Sequence, residues 1–246
     1  YTLLLKDAGC SSNAARLCEL YGADDRATKR DVKTVDLQSV VQLGRFVLSH
    51  TGLRAGLWTR FRLLLNLLKN GERLATEVVQ ARCERGAAIA KQLGFGPRVQ
   101  AGIQSLDEHW NGRGRPVGRA RDEIPLASRI ALLAQVVDVF HHTAGPQAAR
   151  QEVQRRRGTW FDPDLVDRWL ALADERFFAA LRAPGIDARV QALEPLPAST
   201  PLDDQRLDAI AIGFGQVIDA KSPFTGGHSN RVADFCTAIG SQLGLE

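Results

Sequence analysis

Apolar residues along this chain recur at helical spacing and not in strand alternation. Leu57, Phe61, Leu64, Leu65 and Leu68 fall at i, i+4, i+7, i+8 and i+11, one stripe along a single helix face. Val79, Cys83, Gly86, Ala87, Ala90 and Leu93 make a second stripe, and Gly94 stands where it would stop the helix. Ile130, Leu133, Val137 and Phe140 make a third. At Asp162-Pro163 an acid able to cap a helix precedes a proline suited to its first turn, which predicts a helix through Val166, Trp169, Leu170 and Ala173. No alternating pattern persists beyond a few residues, so the expected class is all-α.

The periodicity lapses from Ala183 to Pro201, where Pro184, Pro195, Pro197 and Pro201 gather with Ser199 and Thr200. That composition reads as a linker or surface crossing. Amphipathic spacing resumes at Leu207, Ile210, Ala211, Phe214, Val217 and Ile218. The turn Ser222-Pro223-Phe224-Thr225-Gly226-Gly227 follows, and then a run with Val232, Phe235, Cys236, Ile239 and Leu243.

With 44% hydrophobic and 24% charged residues in 246, the chain has the balance of a water-soluble domain or two. Its longest apolar stretch, Leu63–Leu68, lies between Arg60, Arg62 and Lys69, far short of the roughly 18–20 residues that span a bilayer. The cysteines Cys10, Cys18, Cys83 and Cys236 show no zinc-ligand spacing and read as small buried thiols in a reducing, cytoplasmic compartment. The net charge of +4 is scattered; even Arg155-Arg156-Arg157 has no interleaved aromatic platform. A solvated basic face is expected there, without nucleic acid as partner. No Met occurs, and the chain opens at Tyr1-Thr2-Leu3-Leu4-Leu5 inside an apolar run and stops at Glu246 without a tail. It reads as a piece cut at both ends, in which a signal peptide is undecided.

Two segments carry candidate chemistry. Asp107-Glu108-His109-Trp110-Asn111-Gly112-Arg113-Gly114-Arg115-Pro116 is a glycine-rich loop with two arginines, suited to phosphate or carboxylate, or else a surface turn. Gly226-Gly227-His228-Ser229-Asn230-Arg231 places a histidine at a helix start, as cap or as ligand.

Four segments in order resemble the HD-GYP branch of the HD-domain phosphohydrolases. They are Glu108 to Pro116, Asp122-Glu123-Ile124-Pro125-Leu126-Ala127-Ser128-Arg129-Ile130, Ala134-Gln135-Val136-Val137-Asp138, and Gly158-Thr159-Trp160-Phe161-Asp162-Pro163-Asp164-Leu165-Val166. Upstream, Leu3-Leu4-Leu5-Lys6-Asp7-Ala8-Gly9 is similar to the family's L-L-H-D-I-G, and Arg82-Cys83-Glu84-Arg85-Gly86-Ala87 to its H-P-x-x-G-A. Ile218 to Ala233 resembles the undegraded opening of such a domain, D-x-K-x-P-Y-T-x-x-H-S-x-R-V.

The resemblance implies an HD-domain-like helical bundle followed by the first two helices of a second module. Residues 1–182 are then a degenerate HD-GYP-like domain lacking its first helix, 183–202 a Pro-rich linker, and 203–246 the opening of a truncated second domain. The last segment either fills the first module's missing-helix vacancy, bringing His228 near Asp7, or extends freely.

The family's chemistry uses His and Asp ligands around two or three metals, often iron or manganese, which share a hydroxide that attacks phosphorus. Here Lys6 stands for the His of the HD pair and Arg82 for the next His. Leu106 and Asp107 stand for the two before Glu108, Gln135 for an Asp, and Arg115 for the Tyr of G-Y-P. A cationic side chain donates where a metal ligand must accept. Asp7, Asp138 and His228 remain as an incomplete metal set, so no turnover and no cofactor are expected in this piece. Iron or manganese is expected in the parent's second module. Lys6 beside Asp7 is expected to supply the positive charge a metal would bring, and Arg82 to do the same or lie exposed.

The parent is expected to be a metal-dependent cyclic di-GMP phosphodiesterase with a regulatory first module. The alternative is a non-catalytic scaffold that binds a nucleotide or a diguanylate cyclase domain. Arg113, Arg115 and Arg231 are the candidate ligand-binding residues, a cyclic dinucleotide and a second copy the further candidate partners. Trp110 is expected to pack against the helix after Pro125.

Overall fold

The computed structural model describes residues 1–9, 57–194, 203–219 and 227–245. Among them the regular elements are helical, with one isolated bridge between Arg157 and Phe161. The first two stripes lie on a single helix, α1 (Leu57–Gln92), because no proline interrupts the stretch between them. The side chains of Leu57, Phe61, Leu64, Leu65 and Leu68 lie outside the described residues, as do Cys10, Cys18 and 222–226 of the turn. Gly94 ends the helix at φ +81°, and the Phe95 N–H reaches back to the Ala90 carbonyl at 2.9 Å.

Three helices outside the predicted stripes complete the packing. A Gly-Pro pair opens α2 (Pro97–Gln104) and another opens α4 (Pro146–Arg155), each placing proline where the N–H has no helical partner. Between them runs α3 (Leu126–Ala144). As predicted, Asp162 caps α5 (Pro163–Leu172), accepting the Asp164 N–H at 3.0 Å. Asp174 caps α6 (Glu175–Arg182) the same way, from the Phe177 N–H at 2.8 Å.

Two of the three buried clusters among the described residues meet at α3. Ala87 and Ala90 of α1 meet Ile103, Leu106 and Ala131, with Leu5, Phe95 and Val99 closing the edge. Leu132, Leu133, Val136 and Val137 of α3 meet Val153, Trp160, Phe161 and Val166. Because α3 is held by α2 on one side and α4 on the other, its buried face runs through Ala131, Leu132 and Val136. Leu133 and Val137 of the expected stripe are buried with them, whereas Ile130 stays 48% exposed.

Part of the stretch read as a linker is helical: α7 (Ile186–Ala192) starts after Pro184 and Gly185, and its residues are exposed, so it crosses the surface. Residues 195–202 lie outside the described residues. Beyond them α8 (Asp204–Asp219) packs on α1, with Gly213 buried against the Leu93 side chain, and α9 (His228–Gln242) packs on α8. Free extension is therefore not what the described residues do. Among these residues no helix is long and apolar enough to cross a membrane. Cys83 is buried, whereas Cys236 is exposed on α9, against the expectation of a buried thiol.

The arginine triplet also departs from a solvated face. Arg156 is 1% exposed, its guanidinium 3.8 Å above the Trp160 ring and paired with Glu152, while Arg157 pairs with Asp167 and Arg155 with Glu152. Burial pushes the Glu152 carboxyl up, but hydrogen bonds and charge from Arg155 and Arg156 outweigh it and hold it below its usual range. Removing one partner leaves the other charge stranded in the core. Arg156→Ala is expected to lower stability by about 3–5 kcal/mol in urea melts. The contribution of Glu152 is present above its unfolded value, about pH 4.3, and lost as pH falls through its depressed folded value. The stability gap between wild type and Glu152→Gln should therefore shrink on acidification below that point.

Candidate functional site

The N-terminal turn docks onto α1 and α2. The Leu5 N–H bonds to the Tyr1 carbonyl at 2.9 Å, Thr2 is buried against Gly102, and the Tyr1 ring lies 5.0 Å from that of Phe95. A β-carbon on Gly9 would sit 2.0 Å from the Arg82 carbonyl oxygen, so position 9 admits no side chain. That approach seats the turn, which bears the Lys6–Asp7 ion pair, on α1.

The loop after α2 is organised from inside. Glu108, 2% exposed, accepts the N–H of Val117 at 2.8 Å and of Gly118 at 3.0 Å. A β-carbon on Gly114 would lie 2.1 Å from the His109 nitrogen, so glycine lets the loop fold against its own start. Backbone bonds then tie the loop to the segment before α5, Trp110 N–H to the Trp160 carbonyl at 3.0 Å and Asn111 N–H to that of Thr159 at 2.9 Å. His109 stacks on Trp160 with ring centroids 4.1 Å apart. Trp110 lies under the Arg129 guanidinium, 5.6 Å from its ring, which sets it against α3 as expected. Arg129 donates to Asp162 at 2.8 Å and to Asp122 at 3.0 Å. Sequence reasoning quoted the segments holding Arg129 and Asp162 without joining them; an arginine and a capping acid, each at a fixed place in its segment, were the available signal.

The candidate residues fall in different places. Arg113 is exposed, and its N–H bonds to the Asn111 side chain at 3.0 Å. Arg115 turns inward, its Nε 3.1 Å from the Thr76 hydroxyl on α1. Arg231 stands exposed on α9 and Asp138 exposed on α3. His228 opens α9 beside a cap built from the end of α8, where Asp219 accepts the Ser229 hydroxyl at 2.6 Å and its N–H at 3.1 Å. The Ser229 hydroxyl, helped by its N–H and by the charges of His228 and Arg231, holds the Asp219 carboxyl below its ordinary range.

The carboxylates where the resemblance implies a metal are already occupied. Asp7 pairs with Lys6, Asp107 with Arg82, and Glu108 is spent on backbone N–H groups. Among the described residues no three His, Cys, Asp or Glu side chains gather as a metal site. The donor set therefore does not fit a di- or trinuclear centre, and no step through a metal follows from it. Arg82, left open between exposed and substituting, is 21% exposed and engaged. Burial raises the pKa of the neighbouring Cys83 thiol, with Arg82 opposing, so the thiol stays protonated and inert.

This helical scaffold and its loop point to a class: residues 54–165 match the HD domain family. Over 248 aligned residues it is 50% identical to 3'3'-cGAMP-specific phosphodiesterase 3 of Vibrio cholerae serotype O1, covering 100% of this chain and 53% of that protein. It is 32% identical over 130 residues to 3'3'-cGAMP-specific phosphodiesterase 1 of the same organism, covering 49% of this chain and 29% of that one. A solved structure of a cyclic GMP-AMP specific phosphodiesterase from V. cholerae superposes with a TM-score of 0.67 at 43% identity, covering 100% of this chain and 54% of that one. The chain thus spans about half the length of the relatives that match it throughout. The resemblance read from the segments is borne out at the level of the HD domain and the all-helical fold.

Glu108→Ala should cost about 2–3 kcal/mol by removing a charged acceptor from two amides. Hydrogen exchange at Val117 and Gly118 is expected to accelerate in that variant, while Glu108→Gln, with one acceptor oxygen left, loses less.

Proposed function

We propose that this chain is the non-hydrolysing, regulatory part of a metal-dependent phosphodiesterase that cleaves 3'3'-cyclic dinucleotides. The observation that carries this reading is the 50% identity, along the whole chain, to a 3'3'-cGAMP-specific phosphodiesterase. The ion-paired carboxylates Asp7 and Asp107 support inactivity of the first module, since neither is open to a metal. Residues 203–246 then open the hydrolytic module, with His228 as one of its ligands to iron or manganese. The exposed apolar residues Phe214 (64%), Phe235 (66%) and Leu243 (69%) support that reading, because they leave α8 and α9 with faces suited to further helices. Of the two candidate substrates, 3'3'-cGAMP is favoured over cyclic di-GMP. The relative named for cyclic di-GMP, also from V. cholerae, is 29% identical over only 100 residues. A scaffold that binds a nucleotide or cyclase through the exposed Arg113 is the second reading.

Hydrolysis of 3'3'-cGAMP and cyclic di-GMP, followed by chromatography with Mn(II) or Fe(II) supplied, separates these readings. This chain alone is expected to give no linear product. The longer protein implied by the proposal should cleave 3'3'-cGAMP faster than cyclic di-GMP and lose most of that rate on His228→Ala. Turnover by this chain alone would overturn the regulatory assignment, and binding without cleavage by the longer protein would favour the scaffold.

A further inference from the structure

Where the N-terminal turn and the loop after α2 meet α1, two ion pairs stand on neighbouring segments, Lys6–Asp7 on the turn and Arg82–Asp107 between helix and loop. Asp107 starts the loop and pairs with Arg82 of α1, their side chains 27% and 21% exposed. Glu108, next in sequence, points inward to the far side of the same loop. The N-terminal turn bearing Lys6 and Asp7 is locked over Arg82 by the close approach of Gly9. A metal at such a junction would cross-link separate chain segments by holding their carboxylates. Here that cross-link runs through Arg82 instead, from α1 to the start of the loop, beside the neutral bond from Arg115 of the loop to Thr76 of the same helix.

We propose that the Arg82–Asp107 ion pair is a protein-built replacement for a metal cross-link, tying α1 to the loop so that this module keeps its shape without a divalent ion. The Lys6–Asp7 pair neutralises the carboxylate of the turn but contributes little tethering, since Asp7 is 64% exposed and the partners are sequence neighbours. Arg82–Asp107 differs: it joins distant segments, is mostly withdrawn from water, and strands a charge if either partner is removed. The inference rests on the regulatory reading of this module but concerns its stability, not its turnover.

The test uses the purified chain, with elemental analysis after dialysis and thermal melts in EDTA and in Mn(II). The wild type is expected to retain no stoichiometric metal and to keep its Tm in both. Arg82→Gln should lower Tm by about 3–8 °C through the stranded Asp107 carboxylate. Arg82→Gln/Asp107→Asn should recover much of that loss, the signature of a direct coupling. Should Arg82→Gln fail to fold, Asp107→Asn alone serves, because it keeps shape and removes charge. Its Tm deficit should narrow in high salt if the pair is electrostatic. Retained metal whose removal lowers Tm, strictly additive losses in the cycle, or an unchanged Tm in Asp107→Asn would overturn the proposal. Turnover by this chain would strike the regulatory reading and leave these melts untouched, whereas a metal-dependent Tm without turnover would do the reverse.

Discussion

One buried carboxylate constrains everything around it. Glu108 is almost wholly withdrawn from water, where an unpaired charge is untenable, and its donors are two backbone N–H groups at the far end of its own loop. That requirement bends residues 107–118 into a closed path and fixes the direction of each neighbour. Asp107 is turned toward α1, His109 onto Trp160, and Trp110 under Arg129. The Arg129–Asp162 bond then carries the order of the loop to the cap of α5. The two clusters that share α3 thus meet across a polar framework in which these charges are paired.

Much of this was legible because the signals were local. The Asp162-Pro163 start and the Gly94 stop depend on a few adjacent residues, and both stand where expected. The helices α2, α4 and α6 are too short to show a long apolar stripe, so periodicity passed over them. Their starts were nevertheless written in Gly96-Pro97, Gly145-Pro146 and Asp174. The full width of the buried face of α3, which takes in Ala131, Leu132 and Val136, was not legible, because it depends on which helices lie on either side.

Charge was the hardest property to read from the chain. Arg155, Arg156 and Arg157 look alike in sequence, yet one is buried over an aromatic ring and two lie near the surface in ion pairs. Arg82 could not be placed from its own neighbours, since its partner Asp107 comes from a separate element. Lys6 was the easier case, because its partner is adjacent. Pairing between distant segments is set by packing, and only coordinates reveal it.

The closeness of Gly9 to α1 has a consequence for how such a module can drift. Positions 6 and 82 can exchange imidazole for ammonium or guanidinium by changing side chains, leaving the main chain where it was. Position 9 has no such freedom: any substituent there collides with the Arg82 carbonyl and pries the turn from the helix. Selection for shape alone would therefore police the glycine while leaving the chemistry of its neighbours negotiable. Architecture and chemistry are in this way held by different positions of the same turn.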